Sequence, residues 1–318
     1  MFTIKRFVVF SLAMFVIAGL SQAVSAQIRS PRPSQKASVM QTIGVTDVTV
    51  TYSRPGVKGR TIWGDAPADS YAKGEATLDD QYKRPAGMPI VPYGHVWRTG
   101  ANEATQFVVT DDVLINGQKL AAGIYSLHTI PGKDEWTIVF NGTANQWGSF
   151  NYNPANDTLR VKAKPQTASD SQEWLAFTVD PEKDNSATVN IRWEKVRVPF
   201  TVEVANVVAT TMARAREAVA GSKVDDWVTP FQAAGYANQN KAPDEAKKWL
   251  DLALTRVDAS IAKKETFQNL SAKTNMLLAA GRKDEAFAVA DKAVARGKAD
   301  KADTATFEKR IADLKAAK

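Results

Sequence analysis

The 318-residue sequence contains no cysteine and only two histidines, His95 and His128. Without cysteine the chain can form no disulfide, no thiol nucleophile, no cysteine-ligated metal site and no acylated-cysteine anchor. The histidines do not follow a His-x-His or His-Glu-x-x-His spacing, so a metal would need both of them, or one together with carboxylates such as Glu103. We therefore predict that the chain binds no metal and no cofactor.

The common motifs of enzyme chemistry are also missing. The sequence has no Gly-x-Ser-x-Gly nucleophile elbow, no phosphate-binding Gly-Lys-Ser/Thr loop and no dinucleotide fingerprint. The sequence therefore has none of the usual motifs for hydrolysis, nucleotide binding or hydride transfer, and we assign no catalytic residue.

Long hydrophobic runs are absent after the N-terminus. Lys5 and Arg6 precede a mostly apolar run over residues 7–20, and small residues follow as far as Ala26. This layout predicts a secretory signal peptide at residues 1–26, so that the processed chain starts at Gln27 in the periplasm or outside the cell. A membrane-spanning helix needs about 20 apolar residues, so we predict no transmembrane anchor.

Acidic residues balance basic ones in the first part of the processed chain but not in the second. Residues 27–205 hold 19 Lys and Arg against 19 Asp and Glu, whereas residues 206–318 hold 20 against 15. A basic region can attract nucleic acid, anionic lipid or acidic polysaccharide. Here the charges are interspersed with acids, which is typical of an ordinary solvated helical surface, and export argues against a nucleic-acid partner.

Alternating apolar and polar residues dominate residues 27–204. Val48, Val50 and Tyr52 alternate with polar neighbours, and the same period of two recurs many times up to Val204. Asn116-Gly117 is the dipeptide best suited to a tight hairpin. Short strands without intervening helices predict an antiparallel β-sandwich or a barrel-like domain.

The strand pattern also assigns faces to aromatic residues and to one histidine. Trp136 and Trp193 fall on apolar faces and are predicted to be core residues. Trp63 and Trp147 lie near glycine-rich loops, where they could either fill the core or stack on a sugar. His128 lies on the strand face opposite Leu127, which we expect to be the exposed face.

The alternation stops over residues 65–88, where Asp, Lys, Gly, Ala and Tyr dominate. We interpret this stretch as a surface loop or lid inserted into the β domain, because loops of this length are usually functional or disordered.

Residues 205–318 change to a helical period. Two segments, residues 244–254 and 284–294, resemble each other at an offset of 40 residues, and each follows a helix rich in small residues. The pattern predicts two helical hairpins similar to tetratricopeptide repeats, whose period is about 34 residues, and a terminal helix around Phe307, Ile311 and Leu314. A plain helical bundle is the alternative.

Many short motifs occur in a fixed order through the β region. They are Ser30-Pro31, Gln41-Thr42-Ile43-Gly44, Tyr52-Ser53-Arg54-Pro55, Lys58-Gly59-Arg60, Pro92-Tyr93-Gly94, residues 96–105 (VWRTGANEAT), residues 122–127 (AGIYSL), Thr129-Ile130-Pro131, Trp136-Thr137 and Trp147-Gly148. In these motifs, residues 28–204 resemble the domain-of-unknown-function 2911 family. The resemblance implies an exported bacterial protein and a fold, but no activity. The sequence departs from the family in the 65–88 insertion and in His95, where a lysine or another polar residue is expected.

Polar residues near the glycine-rich and aromatic motifs are the candidates for a site. The predicted ligand-binding residues are Arg54, Arg60, His95, Arg98, Asn102 and Glu103. A guanidinium can clamp a carboxylate or phosphate through two hydrogen bonds, and a buried Glu103 could act as an acid or base. The alternative is structural, with Arg98 and Glu103 paired to each other or to loop carbonyls.

Two functions remain open from the sequence. The first is a non-catalytic envelope protein that binds a small molecule or glycan on the β domain, residues 27–204, and a protein partner on the helical tail, residues 205–318. The second is a hydrolytic enzyme that uses Arg98, Glu103 and His95 beneath the 65–88 loop. Convergence of the predicted residues on one pocket would favour a site, and separate pairs would favour a scaffold.

Overall fold

The computed structural model describes residues 30–65, 77–81 and 86–317. The predicted signal peptide, residues 1–26, lies outside these residues, as does most of the predicted 65–88 insertion. In the part of the chain that the structure describes, no helix combines the length and the apolar character needed to cross a membrane.

Antiparallel β-strands build the first part of the chain. The strands are β1 (Gln35–Ile43), β2 (Thr46–Arg54), β3 (Trp63–Gly64), β4 (Val91–Pro92), β5 (Thr105–Val109), β6 (Val113–Ile115), β7 (Gln118–Leu120), β8 (Gly123–Ile130), β9 (Trp136–Asn141), β10 (Asp157–Ala163), β11 (Gln166–Lys183) and β12 (Ser186–Glu203). One sheet has six strands in the order β1-β2-β5-β8-β9-β10, and a second has four in the order β11-β12-β6-β7. The short strands β3 and β4 pair in parallel.

The two larger sheets share one hydrophobic core. Val48 and Phe107 from the first sheet and Ile191 and Phe200 from the second are all buried in it. The hydroxyl of Tyr52 on β2 accepts a hydrogen bond from the backbone N–H of Phe177 on β11 (3.0 Å), which joins the sheets directly. Among the described residues the sheets do not close into a barrel, so the sandwich form of the predicted antiparallel β fold is the one observed.

Four tryptophans gather within this core. The Trp63 ring lies 5.0 Å from that of Trp136 and 5.6 Å from those of Trp97 and Trp193, in edge-to-face geometry. Trp97 and Trp193 stack at 5.8 Å. The core positions predicted for Trp136 and Trp193 are confirmed, since each is 1% exposed. Trp63 is half-buried and fills the core rather than offering a free face.

The second part of the chain is helical. One short helix, α1 (Leu78–Gln81), lies earlier in the chain, between β3 and β4. The helices of the second part are α2 (Val207–Gly221), α3 (Val228–Gln239), α4 (Pro243–Lys263), α5 (Phe267–Ala279), α6 (Lys283–Ala299) and α7 (Ala305–Ala316). The described chain therefore has the predicted order, a β region followed by an all-α region.

The two segments offset by 40 residues form equivalent helix starts. Lys241 before α4 and Gly281 before α6 both have left-handed backbones, with φ of 58° and 75°. Ala246 and Ala286 then occupy the same position in their helices and are both buried. Helix α3 packs against α4, and Leu277 of α5 packs with Ala286 of α6. The likeness to tetratricopeptide repeats stays a prediction.

Candidate functional site

The outer face of the six-stranded sheet carries one row of polar residues that runs across all six strands. Members that lie opposite one another in register are Ser38, Thr51, Gln106, Ser126, Asn141 and Asp157. Because side chains alternate along each strand, this row faces away from the hydrophobic core. Polar groups on such a face can either meet solvent or hold a covering segment.

A covering loop, residues 142–156, lies over part of this row. The Gln146 amide donates to Ser126 Oγ (3.2 Å), and the Asn141 amide donates to the Asn153 carbonyl (2.9 Å). The Tyr152 hydroxyl donates to Asp157 Oδ2 (2.8 Å). Burial raises the pKa of Tyr152, and the hydrogen bond to Asp157 adds to that effect. The loop is therefore held to the sheet through Gln146, Tyr152 and Asn153.

The covering loop buries His128 completely. Its ring lies 5.0 Å from that of Tyr152 in edge-to-face contact. Among the described residues neither ring nitrogen has a hydrogen-bond partner. Desolvation lowers the pKa of His128 to about 4, although Asp157 and Asp79 oppose the shift. The expectation of an exposed His128 is thus wrong: the strand face was assigned correctly, but alternation cannot show that a distant loop covers it.

An ion pair holds residues 77–81, which lie within the predicted 65–88 insertion, beside this loop. Arg98 Nη2 lies 3.0 Å from Asp79 Oδ1, and the two side chains are only 14% and 5% exposed. Asp79 Oδ2 accepts hydrogen bonds from the backbone N–H (2.6 Å) and hydroxyl (2.8 Å) of Ser149. Asp79 was not among the predicted site residues, and nothing distinguishes it from its acidic neighbours in the sequence.

The turn at residues 99–102 brings Arg98, Asn102 and Glu103 together. Thr99 and Asn102 have left-handed backbones, with φ of 52° and 60°, so the chain reverses sharply there. The Asn102 carbonyl accepts from Arg98 Nη1 (3.1 Å) and from the Gly148 N–H (2.9 Å). Glu103 forms an isolated β-bridge with Trp147. These three predicted residues therefore meet the covering loop.

A groove of about 290 Å³ opens next to this turn, across strands β1, β2 and β5. Its lining includes Lys36, Thr51, Ser53, Glu103, Gln106, Asn145, Gln146 and Trp147. Trp147 is 53% exposed at this groove, and the Gln106 amide donates to Asn145 Oδ1 (2.9 Å). The groove thus combines a half-exposed indole, a cation, a carboxylate and several amides.

The other predicted residues lie elsewhere. Arg54 Nε donates to the Leu175 carbonyl on β11 (2.8 Å), and Arg60 donates to the Gly56 and Val57 carbonyls of its own turn. His95 is half-buried in the turn after β4. Of the six predicted residues, all of which the structure describes, only Glu103 lines the groove. Strand alternation could have identified Gln106, which points outward from β5.

The described residues include no group of three or more His, Asp or Glu side chains arranged to hold a metal ion.

Comparison with known proteins identifies a family but no individual relative. No curated protein and no solved structure matches the chain. Residues 34–202, more than half of the chain, match the family described as "Protein of unknown function (DUF2911)". The chain therefore belongs to the DUF2911 family.

Proposed function

We propose that this DUF2911 protein is an exported, non-catalytic binding protein of the cell envelope. The β region binds a small polar molecule or a glycan in the groove beside Trp147. The observation that carries this proposal is the half-exposed indole of Trp147 beside a groove lined by polar side chains.

The chemistry of the groove suits a ligand with both apolar and hydroxyl-rich faces. An indole presents a large, rigid apolar face that can pack against the apolar surface of a ligand ring. Gln106, Asn145 and Lys36 supply donors, and Glu103 supplies acceptors. A few polar groups that fix orientation around an aromatic platform are the usual composition of a small-molecule site.

The position of Arg98 argues against the hydrolase alternative. A hydrolase built on Arg98 and Glu103 would present both side chains to the same cavity. Arg98 instead pairs with Asp79 and the Asn102 carbonyl, while Glu103 lines the groove. The hydrolase alternative therefore has no observation in its favour.

A thermal-shift screen tests the proposed site. The processed chain, residues 27–318, is melted with monosaccharides, oligosaccharides and small polar metabolites. A true ligand at about 100 times its Kd raises the unfolding free energy by about 2.7 kcal/mol. Trp147→Ala should abolish the shift. Trp174→Ala is the matched control, because Trp174 is 39% exposed but does not line the groove.

Two results of this screen would reject the proposal. If every ligand acts equally on wild type and Trp147→Ala, the groove is not the site. If a ligand is converted to product by the wild type, the protein is not a non-catalytic binder.

Export is tested separately by the intact mass of the protein recovered from the periplasm or the medium. Cleavage after Ala26 leaves Gln27 as the first residue. Recovery of a chain that retains residues 1–26 from those fractions contradicts the proposal.

We assign the protein partner to the helical region, residues 205–318. Helices α3 and α4 and the end of α5 border a groove of about 500 Å³ with Ala234, Gly235 and Ala246 in its lining. No atom would meet a Cβ added at Gly235, so this groove is open there. Site-specific photo-crosslinking from position 235 in the cell envelope, with position 259 on the exposed side of α4 as control, tests the assignment. Equal crosslinking from both positions contradicts it.

A further inference from the structure

The outer face of the four-stranded sheet carries a second depression, of about 520 Å³, between β11 and β12. Both strands are irregular close to this depression. The ladder between β11 and β12 is interrupted from Thr167 to Gln172, so residues 168–171 leave the regular pairing. On β12, Glu194 adopts a left-handed backbone with φ of 54°. Bulges and strained non-glycine residues are concentrated next to functional sites.

Two guanidinium groups line the depression. Arg197 Nε donates to Asn190 Oδ1 (2.7 Å), and the Asn190 amide donates to Asp180 Oδ2 (2.7 Å). Arg192 Nη2 contacts both oxygens of Asp170, at 2.8 and 2.9 Å. Arg192 Nε is buried and has no hydrogen-bond partner within residues 30–65, 77–81 and 86–317. The Arg192 guanidinium is therefore only partly satisfied by Asp170.

Asp170 is the exposed member of its ion pair. Its side chain is 68% exposed, compared with 25% for Arg192, and it stands on the irregular segment rather than in the ladder. An exposed ion pair contributes only about 0 to 1 kcal/mol, so the Asp170 carboxylate is held weakly. The Arg192 hydrogen bonds lower the pKa of Asp170, so this carboxylate is ionised near neutral pH.

We infer that this depression is a binding site for a small molecule that carries a carboxylate, and that Asp170 occupies the carboxylate position until the ligand displaces it. Once Asp170 has moved away, a ligand carboxylate can accept from the Arg192 guanidinium in the parallel two-bond geometry that Asp170 does not use. The remainder of the ligand then lies against Arg197 and Asn190. This site is on a different sheet from the Trp147 groove, so the inference does not depend on the proposed function.

Local charge indicates which anion the site prefers. Arg192 and Arg197 are balanced by Asp170 and Asp180 while Asp170 is in place. Displacement of Asp170 leaves a formal charge of +1, which matches a monocarboxylate better than a phosphate dianion. Asp180 remains fixed through Asn190 and repels a second negative charge.

NMR of the arginine side-chain Nε–H groups in residues 27–318 tests the inference, with acetate as the probe, inorganic phosphate for comparison and ionic strength held constant. Arg192→Gln assigns the Arg192 signal. Acetate should shift this signal in the wild type, and Asp170→Asn should increase the acetate affinity about threefold, since it removes a competing exposed carboxylate. Asp184→Asn, the same charge change in the β11–β12 turn, should leave the affinity unchanged.

Three results would overturn the inference. The first is an equal gain in acetate affinity for Asp170→Asn and Asp184→Asn. The second is tighter binding of phosphate than of acetate. The third is an Arg192 signal that acetate does not shift even in Asp170→Asn. Asp170 is exposed, so its substitution is not expected to prevent folding. The acetate titration of the wild type does not depend on the stability of any variant.

Discussion

Arg98 Nη2 lies 3.0 Å from Asp79 Oδ1, and this contact joins helix α1 to the turn at residues 99–102. The other oxygen of the same carboxylate accepts two hydrogen bonds from Ser149 of the covering loop. One carboxylate therefore connects helix α1, the turn and the loop that carries Trp147. A change at any of these three segments is expected to affect the other two.

The first prediction concerns this ion pair. Arg98→Ala and Asp79→Ala should each lower the free energy of unfolding by about 3 to 5 kcal/mol, because each leaves a buried charge without its partner. The double variant should cost much less than the sum of the two, since neither charge then remains. Denaturant melts of the two single variants and the double variant measure the coupling.

The pair between Lys162 on β10 and Glu135, the residue before β9, is a suitable control. Its side chains are 65% and 49% exposed, so removing either should cost less than about 1 kcal/mol. Additive, small losses at Arg98 and Asp79 would show that their contact does not hold the segments together.

A second prediction concerns Gly148, which has a left-handed backbone with φ of 63°. A Cβ at this position would lie 2.9 Å from Phe150 Cδ2 and 3.0 Å from both Arg98 Nη1 and Asp79 Oδ2. Gly148→Ala should therefore disturb the ion pair as well as strain the backbone. Gly59→Ala is the control, because Gly59 has a φ of 67° but open space around its Cβ position.

The backbone strain common to both alanine variants costs about 1 kcal/mol. Melting experiments should show that Gly148→Ala is less stable than Gly59→Ala by at least about 1 kcal/mol, since a crowded site adds steric strain. Equal losses would mean that the covering loop adjusts without moving Arg98 or Asp79.

Much of the β fold follows from local sequence pattern. The alternation of Val48, Val50 and Tyr52 predicts β2, and these three side chains are buried as expected. Asn116 and Gly117 have φ of 46° and 79°, so the predicted hairpin between β6 and β7 is present. Such features depend on neighbours within a few residues, and these neighbours can be seen in the sequence.

The candidate site is less predictable because its contacts are distant in sequence. Arg98 and Asp79 come from separate segments, and Ser149, which bonds to the same carboxylate, is 70 residues from Asp79. Arg54 and Arg60 have the same residue type and similar surroundings as Arg98, but they bond to backbone carbonyls elsewhere. The pattern of one strand cannot show which charged side chain a remote loop will cover.

The third prediction is a pH dependence that arises from His128. Its pKa in the folded protein is about 4, below the ordinary value of 6.5, because it is buried. Between these two values the unfolded chain binds a proton that the folded chain does not, so stability falls as the pH falls from about 6.5 to about 4. Below about pH 4 both forms are protonated and this loss stops.

His128→Leu removes this contribution. The decrease in unfolding free energy between pH 7 and pH 4.5 should be smaller in the variant than in the wild type by about 2 to 3 kcal/mol. Urea melts at several pH values measure it. His95→Leu is the control, since it also removes one of the two histidines but leaves His128 in place. A pH profile unchanged by His128→Leu would contradict the burial of this imidazole.

The fourth prediction concerns the contact between the β region and helix α2. Arg214 on α2 donates to both oxygens of Asp111, at 3.0 and 2.6 Å, and Thr46 donates to the same carboxylate. Burial opposes ionisation of Asp111, but the hydrogen bonds from Arg214 and Thr46 outweigh it and lower its pKa. We expect residues 27–204 alone to fold cooperatively, but with a lower melting temperature than residues 27–318.

Gly44 provides a sharper test of this contact. Its backbone is left-handed, with φ of 61°, and an added Cβ would lie 2.7 Å from Cγ1 of Val207, the first residue of α2. In the fragment 27–204, which lacks Val207, Gly44→Ala should cost only the backbone strain of about 1 kcal/mol. In residues 27–318 it should cost at least about 1 kcal/mol more, because α2 must shift away from the new methyl group. Denaturant melts of both lengths, each with and without the substitution, measure the difference. Equal costs in the two lengths would show that α2 is not held against the β region at Gly44, and a fragment without a cooperative melt would place the domain boundary elsewhere.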